Sequence, residues 1–185
     1  MTLGRPPSDA RDRALDAALA ITTRDGVTAL TIDAVAREAG ISKGGVLHHF
    51  RTKDALVLAM VEKLTVAFEA AAQALSDSDD KPVGRYTRAF YTAVTSPPLA
   101  VAGRALLAAV AMNPALLEPL RASFNRCYAR LESDGIDPVD AHLCALAADA
   151  IWMRAIFELP PMPPEIEAAI HERLRLTTTT KARKR

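Results

Sequence analysis

The segment TIDAVAREAGISKGGVLHHF, residues 31–50, decides how the N-terminal part of this chain folds. Two short apolar patterns with helical spacing follow Thr31 and Ser42, hydroxyl residues that suit the cap position of a helix. Gly40 separates the two patterns and suits the left-handed conformation that often ends a helix. We therefore predict a helix-turn-helix, whose second helix would place its first residues against base edges in the DNA major groove.

Two consecutive glycines stand within the second predicted helix, although each glycine costs roughly 1 kcal/mol of helix stability relative to alanine. A side chain at Gly44 or Gly45 would hold the backbone away from DNA, so we interpret both as permitting close approach. Lys43 can reach a guanine edge or a phosphate. His48 lies about one turn after the glycines, on the same exposed side.

The charges around this segment are compatible with a nucleic-acid partner. Lys43, Arg51 and Lys53 are the charged residues between positions 41 and 53, in a chain whose net charge is only +1. A local positive face can meet phosphates, and the helix starts after Thr31 and Ser42 offer backbone N–H groups to the same anions. A solvated helix face explains the charges equally well, so charge alone does not decide.

The whole chain is predicted to be all-α. Half of its 185 residues are apolar and only 5% are aromatic, and no segment has a convincing strand pattern. A long fourth helix is expected after Thr52, and another should start at Pro138 with Asp137 as its cap. The segment from Pro114 to Leu131 is expected to form a single helix.

No apolar run approaches the roughly 20 residues that a membrane-spanning helix needs, and the N-terminal segment lacks the pattern of a secretory signal. We expect a cytoplasmic protein with no membrane partner. The two cysteines, Cys127 and Cys144, lack the spacing of metal ligands and are expected to be reduced, packed thiols. No metal ion and no cofactor is predicted.

The stretch ALTIDAVAREAGISKGGVLHHFRTKDALVLAMVE, residues 29–62, resembles the DNA-binding half of the tetracycline-repressor (TetR) family of bacterial regulators. The matching features are the threonine-capped second helix, AGIS in the turn, a third helix that ends in HF, and a lysine at the start of the fourth helix. The resemblance covers about residues 8–60. It implies a three-helix DNA-binding domain over 1–52, a helical ligand-binding and dimerisation domain over 53–176, and leaves 177–185 as a basic disordered tail.

The resemblance also assigns roles to individual residues. It implies that four residues face bases, namely Lys43, Gly44, Gly45 and His48. It implies that four others serve phosphates, namely Thr31, Ser42, His49 and Lys53. Many members carry tyrosine where this chain has Leu47, so a common phosphate contact is expected to be missing.

The function that the resemblance implies is a repressor that binds a pseudo-palindromic double-stranded DNA operator as a homodimer and is released by a small apolar or amphipathic effector. Leu47 keeps an alternative open, which is a helical protein-interaction module whose degenerate helix-turn-helix no longer reads DNA. An enzyme is not expected, because the chain has no G-x-S-x-G, no H-E-x-x-H and no glycine-rich phosphate loop, and no catalytic residue is predicted.

An effector site is expected between the later helices, where helical bundles place ligands. Candidate ligand-binding residues are Phe90, Met112, Phe124, Trp152 and Met153, and ordinary core packing is the alternative for each of them. Asp149 and Arg154 stand in an otherwise apolar helix, so at least one is expected to meet a polar partner.

A homodimer is expected because the helix after Pro138 has two apolar stripes and an amphipathic helix follows it. One small bundle does not supply enough apolar surface to cover both. The predicted dimerisation residues are Leu143, Ala147, Ile151, Ala155, Ile166, Ile170 and Leu174.

Overall fold

A computed structural model describes residues 7–96, 103, 113–157 and 159–179 of the chain. These residues contain eight α-helices, two short 3-10 helices and no strand, so the all-α prediction is confirmed. The helices are α1 (Pro7–Asp25), α2 (Ile32–Ala39), α3 (Lys43–His49), α4 (Lys53–Ser78), α5 (Arg85–Val94), α6 (Glu118–Glu132), α7 (Pro138–Ile156) and α8 (Pro164–Thr177). The 3-10 helices are Val27–Ala29 and Pro114–Leu117.

The described residues fall into two compact units. The first lies within Met1–Leu64 and Val101–Leu120, and the second within Thr65–Ala100 and Arg121–Arg185. The long α4 contributes to both, because its residues 53–64 pack in the first unit and the remainder packs in the second. The predicted boundary between domains at residues 52 and 53 stays a prediction.

The first unit is a three-helix arrangement in which α1 packs against α2 and α3. Its core is formed by side chains that are almost completely buried, among them Leu15, Ala18, Val35, Val46, Phe50 and Met60. Val46 and Phe50 fix α3 from its inner side, while the rest of this seven-residue helix stays largely at the surface. Because α3 is too short to be stable alone, these two anchors hold it in place.

The predicted helix caps are present. The hydroxyl oxygen of Thr31 accepts a hydrogen bond from Ala34 N at 3.1 Å, and that of Ser42 accepts one from Gly45 N at 3.0 Å. Gly40 ends α2 in the left-handed region with φ of 64°, and Ile41 N donates to the Ala36 carbonyl at 3.0 Å. The turn between α2 and α3 is therefore defined by its own short sequence.

The second unit has an aromatic core. The rings of Phe68 and Phe90 meet edge to face with centroids 5.6 Å apart, and Phe124 stacks on Phe68 at 6.3 Å. The adjoining face of α7 carries small buried residues, including Ala141, Ala145 and Ala148, and this helix packs closely against α5.

A side chain distant in sequence caps the N-terminus of α5. Gly84 precedes this helix and has no side chain to cap it, so Asp134 from the loop before α7 takes that role. Its carboxylate accepts from Tyr86 N at 3.2 Å, from Thr87 N at 2.7 Å and from the Thr87 hydroxyl at 2.8 Å. The start of α5 is thus completed by residues more than forty positions away.

Arg88 ties three segments of the second unit together. Its guanidinium donates to Asp79 Oδ2 at 2.7 Å, to the Val83 carbonyl at 2.9 Å and to the Thr178 carbonyl at 2.8 Å. The end of α4, the start of α5 and the end of α8 are held by one side chain. Gly84 has φ of 70°, and a Cβ there would lie 1.9 Å from the Thr178 carbonyl oxygen, so this close approach requires glycine.

The single helix predicted between Pro114 and Leu131 is wrong at its start. The chain forms a 3-10 helix at Pro114–Leu117 and begins the α-helix α6 only at Glu118. Pro119 has no backbone N–H to donate to the carbonyl of Ala115, so the α-helical pattern cannot extend through it and starts there instead. Among the described residues, no helix is both long enough and apolar enough to cross a membrane.

Candidate DNA-binding surface and ligand-binding region

The surface of α3 presents the residues that the sequence assigned to bases. Lys43, Gly44 and His48 are exposed, whereas Val46 between them is completely buried. A helix held from one side in this way offers its opposite side to a partner without any rearrangement of its backbone. The rings of His48 and His49 meet edge to face at 5.0 Å, and His49 is half-buried.

Lys43 is paired with an acidic residue that sequence reasoning missed. Its Nζ lies 3.0 Å from both carboxylate oxygens of Asp33, which is in the first turn of α2. Both side chains are more than half exposed, so water screens the pair and its contribution to stability is small. The partners are ten positions apart, and that separation is not a local spacing signal, so the sequence did not indicate the contact.

The two glycines of α3 differ in their surroundings. A Cβ at Gly45 would lie 3.3 Å from Ser42 Oγ, the oxygen that caps α3, so glycine keeps the cap unstrained. A Cβ at Gly44 would meet only that oxygen, at 3.9 Å, which is an ordinary contact. Nothing in the described fold requires glycine at position 44, so the interpretation that it permits close approach of DNA applies more strongly to Gly44 than to Gly45.

The residues assigned to phosphates are already used within the fold. Thr31 and Ser42 accept hydrogen bonds as helix caps, but each hydroxyl keeps an O–H that can donate to a phosphate oxygen. Lys53 Nζ donates to the Val27 carbonyl at 3.3 Å and is exposed. Leu47, where many family members carry tyrosine, is 37% exposed and offers no polar group.

In the second unit, two of the predicted ligand residues belong to the aromatic core. Phe90 is fully buried and contacts the rings of Phe68, Phe124 and Tyr128. Phe124 is partly buried in the same cluster. Met112 lies outside the described residues. Met153 is exposed, on a different side of α7 from the core.

Trp152 and Asp149 lie one turn apart on α7, and both are partly buried. The Tyr128 hydroxyl donates to Asp149 Oδ2 at 2.8 Å, while Asp149 Oδ1 and Trp152 Nε1 are closed to solvent and have no hydrogen-bond partner among the described residues. Burial raises the pKa of the Asp149 carboxyl, and the hydrogen bond from Tyr128 offsets part of that rise. Arg154 donates instead to the Pro160 carbonyl.

A cavity of about 370 Å³ lies elsewhere in this unit, and both charged and apolar groups line it. The residues around it are Asp79, Arg88, Tyr91, Thr92, Cys144, His171, Leu174, Arg175 and Thr178. Its charged groups are engaged already: Arg88 with Asp79, and Arg175 with Glu172. None of the four predicted ligand residues that the structure describes lines it.

The predicted dimerisation residues divide between the surface and the core. Leu143, Ala155 and Ile166 are exposed, whereas Ala147, Ile151 and Leu174 pack against the second core and Ile170 is half-buried. A continuous exposed apolar stripe does run along α7. It consists of Val139, Leu143, Leu146, Met153 and Phe157.

Neither cysteine nor any acidic cluster of the described residues forms a metal site. Cys127 and Cys144 are both free and buried, and burial raises the pKa of the Cys144 thiol to about 12. No group of three histidine, cysteine, aspartate or glutamate side chains in the described ranges could hold a metal ion.

The short capped helices, the exposed α3 and the separate helical unit define a helix-turn-helix transcriptional regulator. A family model for the C-terminal domain of tetracyclin repressor-like proteins matches residues 84–179, and one for bacterial regulatory proteins of the tetR family matches residues 14–60. The first covers more than half of the chain. The chain therefore belongs to the TetR family of non-enzymatic, DNA-binding transcriptional regulators, whose C-terminal domain binds ligands.

Solved structures share the fold. A transcriptional regulator from Rhodococcus sp. Rha1 is 23% identical with a TM-score of 0.71, and the match covers 90% of this chain and 95% of that one. A TetR-family member from Streptomyces coelicolor A3 is 24% identical with a TM-score of 0.67, covering 89% and 97%. The multidrug binding protein EbrR, in complex with malachite green, is 25% identical with a TM-score of 0.68, covering 92% and 98%. No curated protein sequence matches the chain.

Proposed function

We propose that this protein is a homodimeric, effector-released repressor that reads a pseudo-palindromic operator with α3. The observation that carries the proposal is the exposed row of Lys43, Gly44 and His48 on a helix anchored from its inner side by Val46 and Phe50. In a helix-turn-helix the first residues of the second helix contact base edges, and a lysine there can donate to guanine O6 or N7.

Asp33 is proposed to compete with DNA for Lys43. Its carboxylate holds Lys43 Nζ at 3.0 Å in the absence of DNA, so the lysine must leave that partner to reach a base or phosphate. A carboxylate at this position also repels phosphates and lowers affinity for every DNA sequence alike. We infer that Asp33 weakens binding to DNA of any sequence, operator and non-operator alike.

A second copy of the chain is the proposed occupant of the exposed stripe on α7. Five large apolar side chains along one face of a helix form a surface that is costly to leave in water. Two-fold self-association is the commonest way to cover such a face. A two-fold protein then reads two half-sites that lie roughly 34–36 Å apart or a multiple of that distance.

The proposed effector binds in the second unit and acts on DNA affinity through the dimer. A ligand that favours a dimer geometry unsuited to the operator spacing weakens DNA binding by the difference in its affinity for the two states. EbrR, which has the same fold, was solved with malachite green, which supports a small organic molecule as the effector class. Because bacterial DNA lies in the cytoplasm, a regulator that binds an operator there acts in that compartment.

Fluorescence anisotropy with the DNA immediately upstream of the gene tests this proposal. We expect tight binding that resists excess unrelated DNA, and we expect Lys43→Ala to weaken it by about 1–3 kcal/mol. Asp33→Asn is the matched variant, because it should strengthen binding to operator and unrelated DNA by similar factors. If upstream DNA is not distinguished from competitor, selection from random sequences follows, and failure to enrich any site there would contradict the proposal.

The alternative is a protein-interaction module, and Leu47 is the observation that favours it. An exposed leucine stands where many family members present a tyrosine to phosphate, so one DNA contact is replaced by apolar surface. This alternative predicts DNA binding that is weak, independent of sequence and unaffected by Lys43→Ala.

A further inference from the structure

Two buried polar atoms on α7 lack partners, and they lie on the same side of the helix. Asp149 and Trp152 are three positions apart, which places their side chains next to one another along α7. Asp149 Oδ1 is an acceptor closed to solvent, and Trp152 Nε1 is a donor closed to solvent. A buried polar group without a partner destabilises the fold, so two on neighbouring side chains favour a bound molecule that satisfies both.

The carboxylate has no counter-ion among the described residues. The Tyr128 hydroxyl donates to Oδ2, and no lysine or arginine of the described ranges contributes to the ionisation of Asp149. Arg154, the nearest basic residue along α7, is engaged with the Pro160 carbonyl. A carboxylate in this position is therefore stabilised by one hydrogen bond from a neutral group and by no positive charge.

The surroundings of Asp149 are aromatic. Tyr128, which holds the carboxylate, packs edge to face on Phe124 with ring centroids 5.8 Å apart, and Trp152 packs against the same cluster. Aromatic faces attract organic cations, most strongly where water is excluded. The negative charge and the π-faces favour the same kind of ligand.

We propose that Asp149 is the counter-ion for an organic cation, a protonated amine with an aromatic body and a hydrogen-bond acceptor. The ammonium N–H donates to Asp149 Oδ1, the acceptor receives the Trp152 Nε1–H, and the aromatic body contacts the rings of Trp152 and Tyr128. This inference rests on the proposed function, since it names the chemical class of the effector. It narrows the apolar or amphipathic effector expected from sequence to an amphipathic molecule with a positive charge.

Trp152 is the only tryptophan of the chain, so intrinsic fluorescence reports directly on this site. The test titrates the full-length protein with three probes that share one body and ether oxygen: 3-phenoxypropylamine, 3-phenoxypropan-1-ol and 3-phenoxypropanoate. Excitation beyond the absorption of the phenoxy ring isolates the indole. We expect the amine to bind at least about tenfold more tightly than the alcohol, and the carboxylate to bind most weakly.

Asp149→Asn is the decisive variant, because the amide keeps the size of the side chain and an oxygen for the Tyr128 hydroxyl. It should bring amine and alcohol to similar affinity, because loss of the negative charge weakens binding of the amine far more than binding of the alcohol. Asp140→Asn removes the same charge from the first turn of α7 and should preserve the preference for the amine. The comparison among the three probes in the wild-type protein stands even where a variant fails to fold.

The proposal is overturned if wild-type protein binds amine and alcohol equally, if no probe changes the fluorescence, or if the preference for the amine survives Asp149→Asn. The titration contains no DNA, so its result is independent of operator binding. Specific DNA binding without a preference for the amine would contradict the proposed cationic effector and leave the proposed DNA-binding function intact. A preference for the amine in a protein that does not distinguish DNA sequences would support the cation site and contradict the proposed operator binding.

Discussion

Gly44 lowers the stability of α3, and the proposed reason is that it allows DNA to approach the helix closely. The fold needs a flexible backbone at Gly40 and at Gly84, where φ is positive, and it needs a small residue at Gly45 beside the Ser42 cap. It makes no such demand at Gly44, which faces solvent from an ordinary helical backbone. A residue that weakens its helix without a structural reason is a candidate for a functional one.

Gly44→Ala is therefore expected to raise stability and lower DNA affinity together. Alanine in place of glycine should increase the free energy of unfolding by up to about 1 kcal/mol, because it removes backbone entropy from the unfolded chain. The added methyl group should weaken operator binding. Urea denaturation and fluorescence anisotropy measure the two effects.

Gly45→Ala is the matched control, because the same gain in propensity is offset there by the 3.3 Å approach of the new Cβ to Ser42 Oγ. Its unfolding free energy should rise less than that of Gly44→Ala. An alanine at position 44 that stabilises the protein and leaves operator affinity unchanged would remove the DNA-based explanation of this glycine.

At the scale of helices, the described elements use two kinds of cap. α2, α3 and α7 are capped by the residue that directly precedes them, namely Thr31, Ser42 and Asp137. α5 is capped from a distance by Asp134. The local caps belong to short sequence patterns, whereas the distal cap exists only after the second unit has assembled.

Removal of the distal cap should cost more than removal of a local one. Asp134→Ala deletes three hydrogen bonds in a partly buried position, and we expect a loss of about 1–2 kcal/mol in the free energy of unfolding. Asp137→Ala deletes the hydrogen bond that Val139 N donates to the Asp137 carboxylate at 2.9 Å, and it should lose less. Chemical denaturation of both variants decides the comparison, and equal losses would contradict the proposed importance of the distal cap.

The Asp79–Arg88 pair should give the second unit an acid-sensitive contribution to stability. The hydrogen bond from Arg88 lowers the pKa of the Asp79 carboxyl, and the bond from Lys81 N at 2.9 Å acts in the same direction. A pKa lower in the folded state than the unfolded value of about 3.9 means that stability is present above that pH and lost as pH falls through the folded pKa. Asp79→Asn should therefore reduce the fall in unfolding free energy on acidification.

The measurement for that prediction is urea denaturation of wild type and Asp79→Asn between about pH 6 and pH 2.5, a range set by the unfolded carboxyl pKa. The difference between the two curves isolates Asp79 from other carboxylates such as Glu69, whose pKa is also lowered, chiefly by Arg126. Parallel curves over the whole range would show that the pair contributes no acid sensitivity.

For the whole molecule, the exposed apolar stripe on α7 is the proposed dimer interface. Leu143→Glu places a charge within the stripe at a helical position that glutamate tolerates, and it should shift the protein from dimer to monomer. Analytical ultracentrifugation measures the shift. Operator affinity should fall with it, because the two half-sites are then bound by independent chains.

Val66→Glu is the control for that experiment. Val66 lies on α4, outside the stripe, and is an apolar residue more exposed than Leu143, so the variant should remain dimeric. Persistence of the dimer after Leu143→Glu would contradict the proposed interface, and dissociation by Val66→Glu would place the interface elsewhere.

How much the sequence predicted depends on the distance between partners. Helix starts set by Thr31, Ser42 and Asp137 were predictable, because each cap and its N–H lie within three residues. The Lys43–Asp33 pair spans ten residues and the Arg88–Thr178 bond spans ninety, so neither has a local pattern. The helix-turn-helix pattern predicted that Lys43, Gly44 and His48 would be exposed on α3. The hydrogen bond from Tyr128 to Asp149 depends on how α6 and α7 pack, so the sequence did not predict it.

During synthesis, α5 leaves the ribosome before Asp134, the residue that caps it. Val94 ends α5 forty residues before Asp134, an interval of roughly 2 to 8 seconds at ordinary rates of synthesis. During that interval a ten-residue helix, shorter than the 12–15 residues that isolated helices need, has no cap. Nascent chains released before residue 134 should leave Tyr86, Phe90 and Tyr91 uncovered and depend on chaperones, whereas the N-terminal unit already has most of its helices.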